Sequence, residues 1–179
     1  MFKQSAEYLS NKIKSAIDKL DDSLINSVIE SFFECNKIFI YGIGRSGLAS
    51  KGFAMRMMHL GFRIYVIDES ISPPVNTGDM IILVSGSGKT SSVLKIAQLS
   101  REIGAHLVSI TAEENSPLAM MSDMTIILNI YEDKDPKLAP LGTLFEDGTI
   151  IFFDALVAEM LVRMDENEER MTARHASLE

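Results

Sequence analysis

Apolar residues at Phe2, Ala6, Leu9, Ile13, Ile17 and Leu20 recur every three or four positions, and Leu24, Ile25, Val28, Ile29, Phe32 and Phe33 resume that spacing after a polar break. A 3.6-residue period places each set on one side of a helix, so residues 1–36 read as two amphipathic helices. Asp21-Asp22-Ser23 supplies capping side chains between them, and Asn36-Lys37 closes the second. From residue 37 the pattern changes. Short runs that are apolar on consecutive positions, at 38–41, 64–67, 80–84, 107–110 and 125–128, alternate with helical stretches near 47–60, 90–103 and 115–121. Runs of that kind suit strands buried on both faces, as in a parallel sheet covered by helices. Between 68 and 79, Ser72-Pro73-Pro74 and Gly78 forbid a regular helix, so this crossover is expected to be extended and to border a site.

A polar, proline-bearing loop at 132–140 leads into a helix expected over about 144–164, apolar on nearly every side. Such a helix is expected to be buried all round. A chain of 179 residues rarely covers so long a helix unaided, so part of its surface is expected to meet another subunit. The charge run at 165–170 reads as a solvated final turn or short helix, and Leu178-Glu179 as either native or an expression-tag remnant. The expected architecture is one α/β domain over 1–179. It is a three-layer α-β-α sandwich on a five-stranded parallel sheet, flavodoxin-like, with helices in 1–36, the sheet core in 37–130 and C-terminal helices in 141–179.

Composition narrows the function classes. With 25 acidic against 17 basic residues the formal net charge is -8, and the basic residues do not cluster, which disfavours nucleic acid as a partner. The one cysteine, Cys35, has no partner for an intramolecular disulfide, and no signal-peptide pattern opens the chain; a reducing cytoplasm is the expected location. No apolar run reaches the roughly 18 residues that span a bilayer, so no membrane is expected. One cysteine and three widely spaced histidines, His59, His106 and His175, lack zinc-ligand spacing, and no metal is expected.

Two loops carry the candidate chemistry. The first strand runs into Gly42-Ile43-Gly44-Arg45-Ser46-Gly47, a G-x-G-x-x-G that opens a helix whose free N–H groups and dipole suit an anion. Asp68 or Glu69 near the end of the second strand keeps a nicotinamide cofactor open on this motif alone. The third strand runs into Ser85-Gly86-Ser87-Gly88-Lys89-Thr90. An ATP-binding P-loop would need glycine where Leu83 stands. Ser85, Ser87 and Thr90 are instead hydroxyl donors which, with the backbone of Gly86 and Gly88 and the following helix, describe capture of one phosphate monoester. A nicotinamide oxidoreductase would leave that second loop unexplained. Arg45 is placed to pair with the phosphate or with a surface carboxylate. His59 precedes Gly61 at a helix end, where capping explains it, and His106 starts a strand and reads as structural. Met55, Met57 and Met58 read as core or interface filler.

Together, Tyr41-Gly42-Ile43-Gly44-Arg45-Ser46-Gly47 and Val84-Ser85-Gly86-Ser87-Gly88-Lys89-Thr90 resemble the two signature segments of the sugar isomerase (SIS) domain. Residues 53–61, 140–146 and the terminal Arg174-His175 are similar to those of the 6-phospho-3-hexuloisomerases. The resemblance implies a homo-oligomer, commonly a tetramer, and cofactor-free interconversion of D-arabino-3-hexulose 6-phosphate with D-fructose 6-phosphate. It also implies roles. Glu146, behind a Gly-Thr turn at the start of the long helix, would move the carbon-bound proton. His175 would fold over a neighbouring subunit's site as a shuttle between substrate oxygens or in ring opening. Gly44, Arg45, Ser46 and His59 would lie near the substrate. Without that resemblance, Glu146 reads equally well as a dipole-facing helix carboxylate, and His175 as a terminal histidine. A binding module that senses a phosphosugar without turning it over is the alternative from another class; a transcriptional sensor would be expected to carry a DNA-binding domain, and none is expected in residues 1–179.

Overall fold

The computed structural model describes residues 1–131 and 134–177; Glu132 and Asp133 of the polar loop and the Leu178-Glu179 end lie outside the described residues. Helices α1 (Phe2–Ile17) and α2 (Asp22–Glu34) form where the spacing predicts them, and the Asp21 side chain caps α2 by accepting from the Ser23 N–H. There follow β1 (Ile38–Gly42), α3 (Arg45–Leu60), β2 (Ile64–Val66), β3 (Met80–Val84), α4 (Ser91–Ile103), β4 (His106–Thr111), α5 (Pro117–Met121), β5 (Met124–Ile127), α6 (Thr143–Arg163) and α7 (Glu168–Ala173). All strand pairs are parallel, in the order β2-β1-β3-β4-β5. This is the doubly wound order in which the direction of winding reverses between β1 and β3, leaving a crevice beyond the carboxyl ends of those two strands.

Strand alternation builds the three layers. Ile38, Ile40, Met80, Ile82, Val108 and Ile110 face the layer formed by α1, α2, α3 and α6, whereas Phe39, Ile81, Leu83 and Leu107 face α4 and α5. The central strand β3 is buried at every position, as its unbroken apolar run requires. On the thicker side the Phe53 and Phe153 rings stack at 4.1 Å, fixing α3 against α6. Residues 68–79 contain no helix or strand, as the prolines predict. Asp79, 1% exposed at the end of this crossover, accepts from the Asn76 N–H at 2.8 Å and pairs with Lys37 at 3.2 Å.

Within the single chain, helix α6 is not covered all round, which leaves the part of its surface expected to meet another subunit open. Phe145, Phe152, Phe153, Leu156 and Met160 are buried, but Ile150, Ile151 and Val162 are exposed on the described chain. Gly148, a weak helix former, does not interrupt α6. A Cβ there would stand 2.7 Å from the Ile130 side chain, so the glycine lets the chain after β5 cross close to the helix. Burial pushes the Cys35 thiol up to about 11, so it stays protonated at neutral pH. Among the described residues no helix is long and apolar enough to cross a membrane.

Lys37→Met removes the cation beside a buried carboxylate that retains one N–H donor. Urea denaturation is expected to show a loss of about 3–5 kcal/mol, the usual cost of stranding one partner of a buried pair.

Candidate active site

Register decides the geometry. Gly42 pairs with Val84 at the last rung between β1 and β3, so the two glycine loops leave neighbouring strand ends side by side. In the first loop, a Cβ on Gly47 would stand 2.6 Å from the Gly42 carbonyl oxygen, so only glycine lets α3 start this close to β1. Gly44 caps the helix, and Arg45 and Ser46 occupy its first turn, where N–H groups have no intrahelical acceptor.

In the second loop the carbonyls are turned inward. The Gly86 oxygen accepts from the Ala112 N–H at 3.0 Å and the Thr111 hydroxyl at 3.2 Å, and the Gly88 oxygen accepts from the Leu118 N–H at 3.1 Å. The N–H groups of Gly86, Ser87 and Thr90 find no acceptor among the described residues. Ser85 and Thr90 share a hydroxyl hydrogen bond of 3.0 Å, and the Ser87 hydroxyl accepts from the Lys89 N–H at 3.2 Å. Gly88 holds a left-handed φ of +58°, and a Cβ on it would meet the Ser116 hydroxyl at 2.2 Å. With its carbonyls tied back and its donors outward, above the start of α4, the loop is a nest for an anion.

The start of α6 closes the crevice. Phe145 lies against Gly86, where a Cβ would be 3.0 Å from the ring, and Glu146 follows with its side chain 18% exposed. Arg45 reaches from α3 to both Glu146 and Asp147, at 3.1 Å each. A carboxylate is one of the two partners foreseen for Arg45. The expected residues Gly44, Arg45, Ser46, Ser85, Gly86, Ser87, Gly88, Thr90 and Glu146 therefore stand at one edge of the sheet.

His59 and His175 do not join them within the chain. They lie at the other end of α3, about 21 Å from Arg45 at 1.5 Å of rise per residue. There the two imidazoles stack at 5.0 Å, with His59 buried and His175 exposed. Arg174 holds α7 in place, donating to the His59 carbonyl at 2.9 Å and to Glu166 at 2.8 Å. His59 thus has a fuller environment than a helix-capping residue needs. His106, at the start of β4, is 3.6 Å from Asp123, remote from the crevice, in agreement with a structural reading. Sequence reasoning missed Asp147, the second arm of the Arg45 fork, and Tyr131, whose hydroxyl stands 3.2 Å from where a Gly86 Cβ would be. A lone aromatic in a polar loop was the only signal for the latter.

Comparison with known proteins identifies the family. Residues 31–154 match the model of the SIS domain. The chain belongs to the SIS family. It is 38% identical over 154 residues to a 3-hexulose-6-phosphate isomerase of Methanocaldococcus jannaschii, covering 86% of this chain and 83% of that protein. A 3-hexulose-6-phosphate isomerase of Bacillus subtilis is 33% identical, covering 98% and 91%. In structure the chain is similar to a Methanococcus jannaschii protein whose crystal structure infers 3-hexulose-6-phosphate isomerase function, with a TM-score of 0.91, 35% identity and coverage of 98% and 99%. Likeness of this extent makes the SIS-family chain an isomerase, with the five-stranded α/β fold described above.

Gly88→Ala puts a methyl group on the Ser116 hydroxyl and an L-residue at positive φ. Affinity for inorganic phosphate, measured by calorimetry, is expected to fall at least about tenfold, while the rest of the fold is kept.

Proposed function

We propose that this SIS-family chain is a cofactor-free phosphosugar isomerase that interconverts D-arabino-3-hexulose 6-phosphate and D-fructose 6-phosphate through a cis-enediolate. The observation that carries the reading is the placement of Glu146 beside a loop with outward donors and hydroxyls suited to one phosphate monoester. The 6-phosphate is held by the N–H groups of Gly86, Ser87 and Thr90 and the hydroxyls of Ser85, Ser87 and Thr90, with Gly88, whose N–H donates to the Ser85 carbonyl, shaping the turn, and with Gly44, Arg45 and Ser46 facing the phosphate from the start of α3. Glu146 takes the proton from C2 of the 3-ketose as the electron pair forms the enediolate, then returns a proton to C3. Between these steps a proton moves from one hydroxyl oxygen to the other, and atoms and charge balance without a redox partner.

Two copies of the chain make the site complete in this reading. Between the Arg45 end and the His59 end of α3, an apolar strip of Leu48, Met55, Ile150 and Ile151 is exposed. Packing two such strips about a two-fold axis sets the α3 helices antiparallel, so each crevice receives the other copy's His59 and His175. His175 then shuttles the oxygen proton or opens the furanose ring. Ring opening is needed only from the fructose side, because a 3-ketose whose 6-hydroxyl is phosphorylated has no oxygen left for a five-membered ring. The proposed setting is a self-associated protein, in tetramers built from such pairs, in the cytoplasm.

Three experiments test this. Incubation with fructose 6-phosphate in heavy water, followed by NMR, is expected to give deuterium at C3 together with the 3-ketose. Glu146→Gln is expected to keep ligand binding and lose at least about a hundredfold in turnover; exchange and turnover equal to wild type remove Glu146 from the mechanism. Mixing Glu146→Gln subunits with His175→Ala subunits is expected to restore activity that neither possesses alone, since one of the mixed sites has both groups intact. Activity of His175→Ala alone equal to wild type argues against the shared site.

A further inference from the structure

Beyond the end of β5 the chain crosses the carboxyl edge of the sheet. Leu128 and Ile130 are buried there, and Tyr131 turns over the second glycine loop. Its hydroxyl oxygen and the Phe145 ring both press on the space above Gly86, 3.2 and 3.0 Å from where a Cβ would stand. A Cβ at 86 would crowd this hydroxyl. From behind, the Lys134 ammonium lies 5.4 Å from the centre of the Tyr131 ring and also donates to the Leu141 carbonyl, tying the ring to the segment that leads into α6. Burial, followed by the Glu146 and Glu113 carboxylates, holds the phenol above its ordinary range, so it remains a donor through neutral pH. Among the described residues no group hydrogen-bonds that hydroxyl. A phenylalanine would pack as well, so the hydroxyl itself is left without a structural task.

We infer that Tyr131 is a further catalytic residue, whose hydroxyl donates to one of the two oxygens of the reacting ketol pair and steadies the enediolate formed when Glu146 takes the carbon proton. The inference rests on the isomerase reading above. Its basis is position: the phenol stands between the loop proposed to hold the phosphate and the carboxylate proposed to move the proton, where a six-carbon chain anchored by its 6-phosphate must pass. As charge develops on the ketol oxygens, a donor fixed in advance stabilises the transition state more than the ground state. Glu146 and Glu113, whose charges act on the phenol, give no such donation as carboxylates.

Steady-state kinetics of Tyr131→Phe in both directions test the assignment, with thermal unfolding as the check on folding and inorganic phosphate as a competitive ligand. The expected result is a fall in kcat on the order of a hundredfold, little change in KM, and wild-type affinity for inorganic phosphate. Wild-type kcat in the folded variant overturns the assignment and leaves the isomerase reading standing. Equal losses of affinity for inorganic phosphate and for fructose 6-phosphate, with kcat kept, also overturn it, since the hydroxyl would then serve the phosphate. A wild-type protein that binds fructose 6-phosphate without producing the 3-ketose fails the isomerase reading itself, and this inference with it. Should Tyr131→Phe unfold, solvent-deuterium exchange by Lys134→Met, which frees the ring from its rear support, reads the same contact: slower exchange with phosphate affinity kept supports it, and unchanged exchange overturns it.

Discussion

Parallel pairing of β1 with β3 is the constraint on which the arrangement depends. Both strands lie inside the sheet, and the order of winding reverses between them. Because their last rung joins Gly42 to Val84, two chain segments far apart in sequence deliver helix starts to adjoining places. Each start brings unpaired N–H groups and the positive end of a dipole, so the crevice favours an anion before any side chain is counted. The side chains then refine that preference: hydroxyls from the second loop, a guanidinium from the first, and a carboxylate from α6.

The guanidinium has a double attachment. Arg45 holds Glu146 and Asp147 together and so couples the start of α3 to the start of α6, at the same end where Phe145 abuts Gly86. Further along the same two helices, Phe53 and Phe153 stack face to face. Polar contact near the crevice and aromatic contact in the core therefore serve one purpose, which is to fix the direction from which Glu146 approaches. Such a carboxylate owes its orientation to a helix and not to a loop, and it keeps that orientation through the rigidity of packed rings.

Much of this was legible from residue order. Consecutive apolar runs identified all five strands, since a strand buried on both faces leaves no polar position to confuse the period. Both glycine loops could be placed because each follows a strand and opens a helix. What escaped was relational. Nothing in the spacing of Ile150, Ile151 and Val162 distinguishes an apolar side that packs in the core from one that remains uncovered on the chain. Arg45 was open between a phosphate and one surface carboxylate, with no sign of a pair of carboxylates, and Tyr131 is separated from Gly86 by 45 positions that only the folded sheet brings together. The reason for Gly148 within α6, the nearby Ile130, likewise comes from another part of the chain.

The brevity of β2 limits what the sheet can add at that margin. An edge strand with a long row of unused peptide groups invites another chain to extend the sheet, which leads toward fibrous aggregation. Here the edge has only three residues, Ile64–Val66, and the segment beyond it carries Pro73 and Pro74, which have no N–H to offer. The sheet is therefore poorly suited to growth by strand addition at this margin. At this margin, backbone that would accept almost any strand is withheld, and contact rests on side chains, whose shape selects among neighbours.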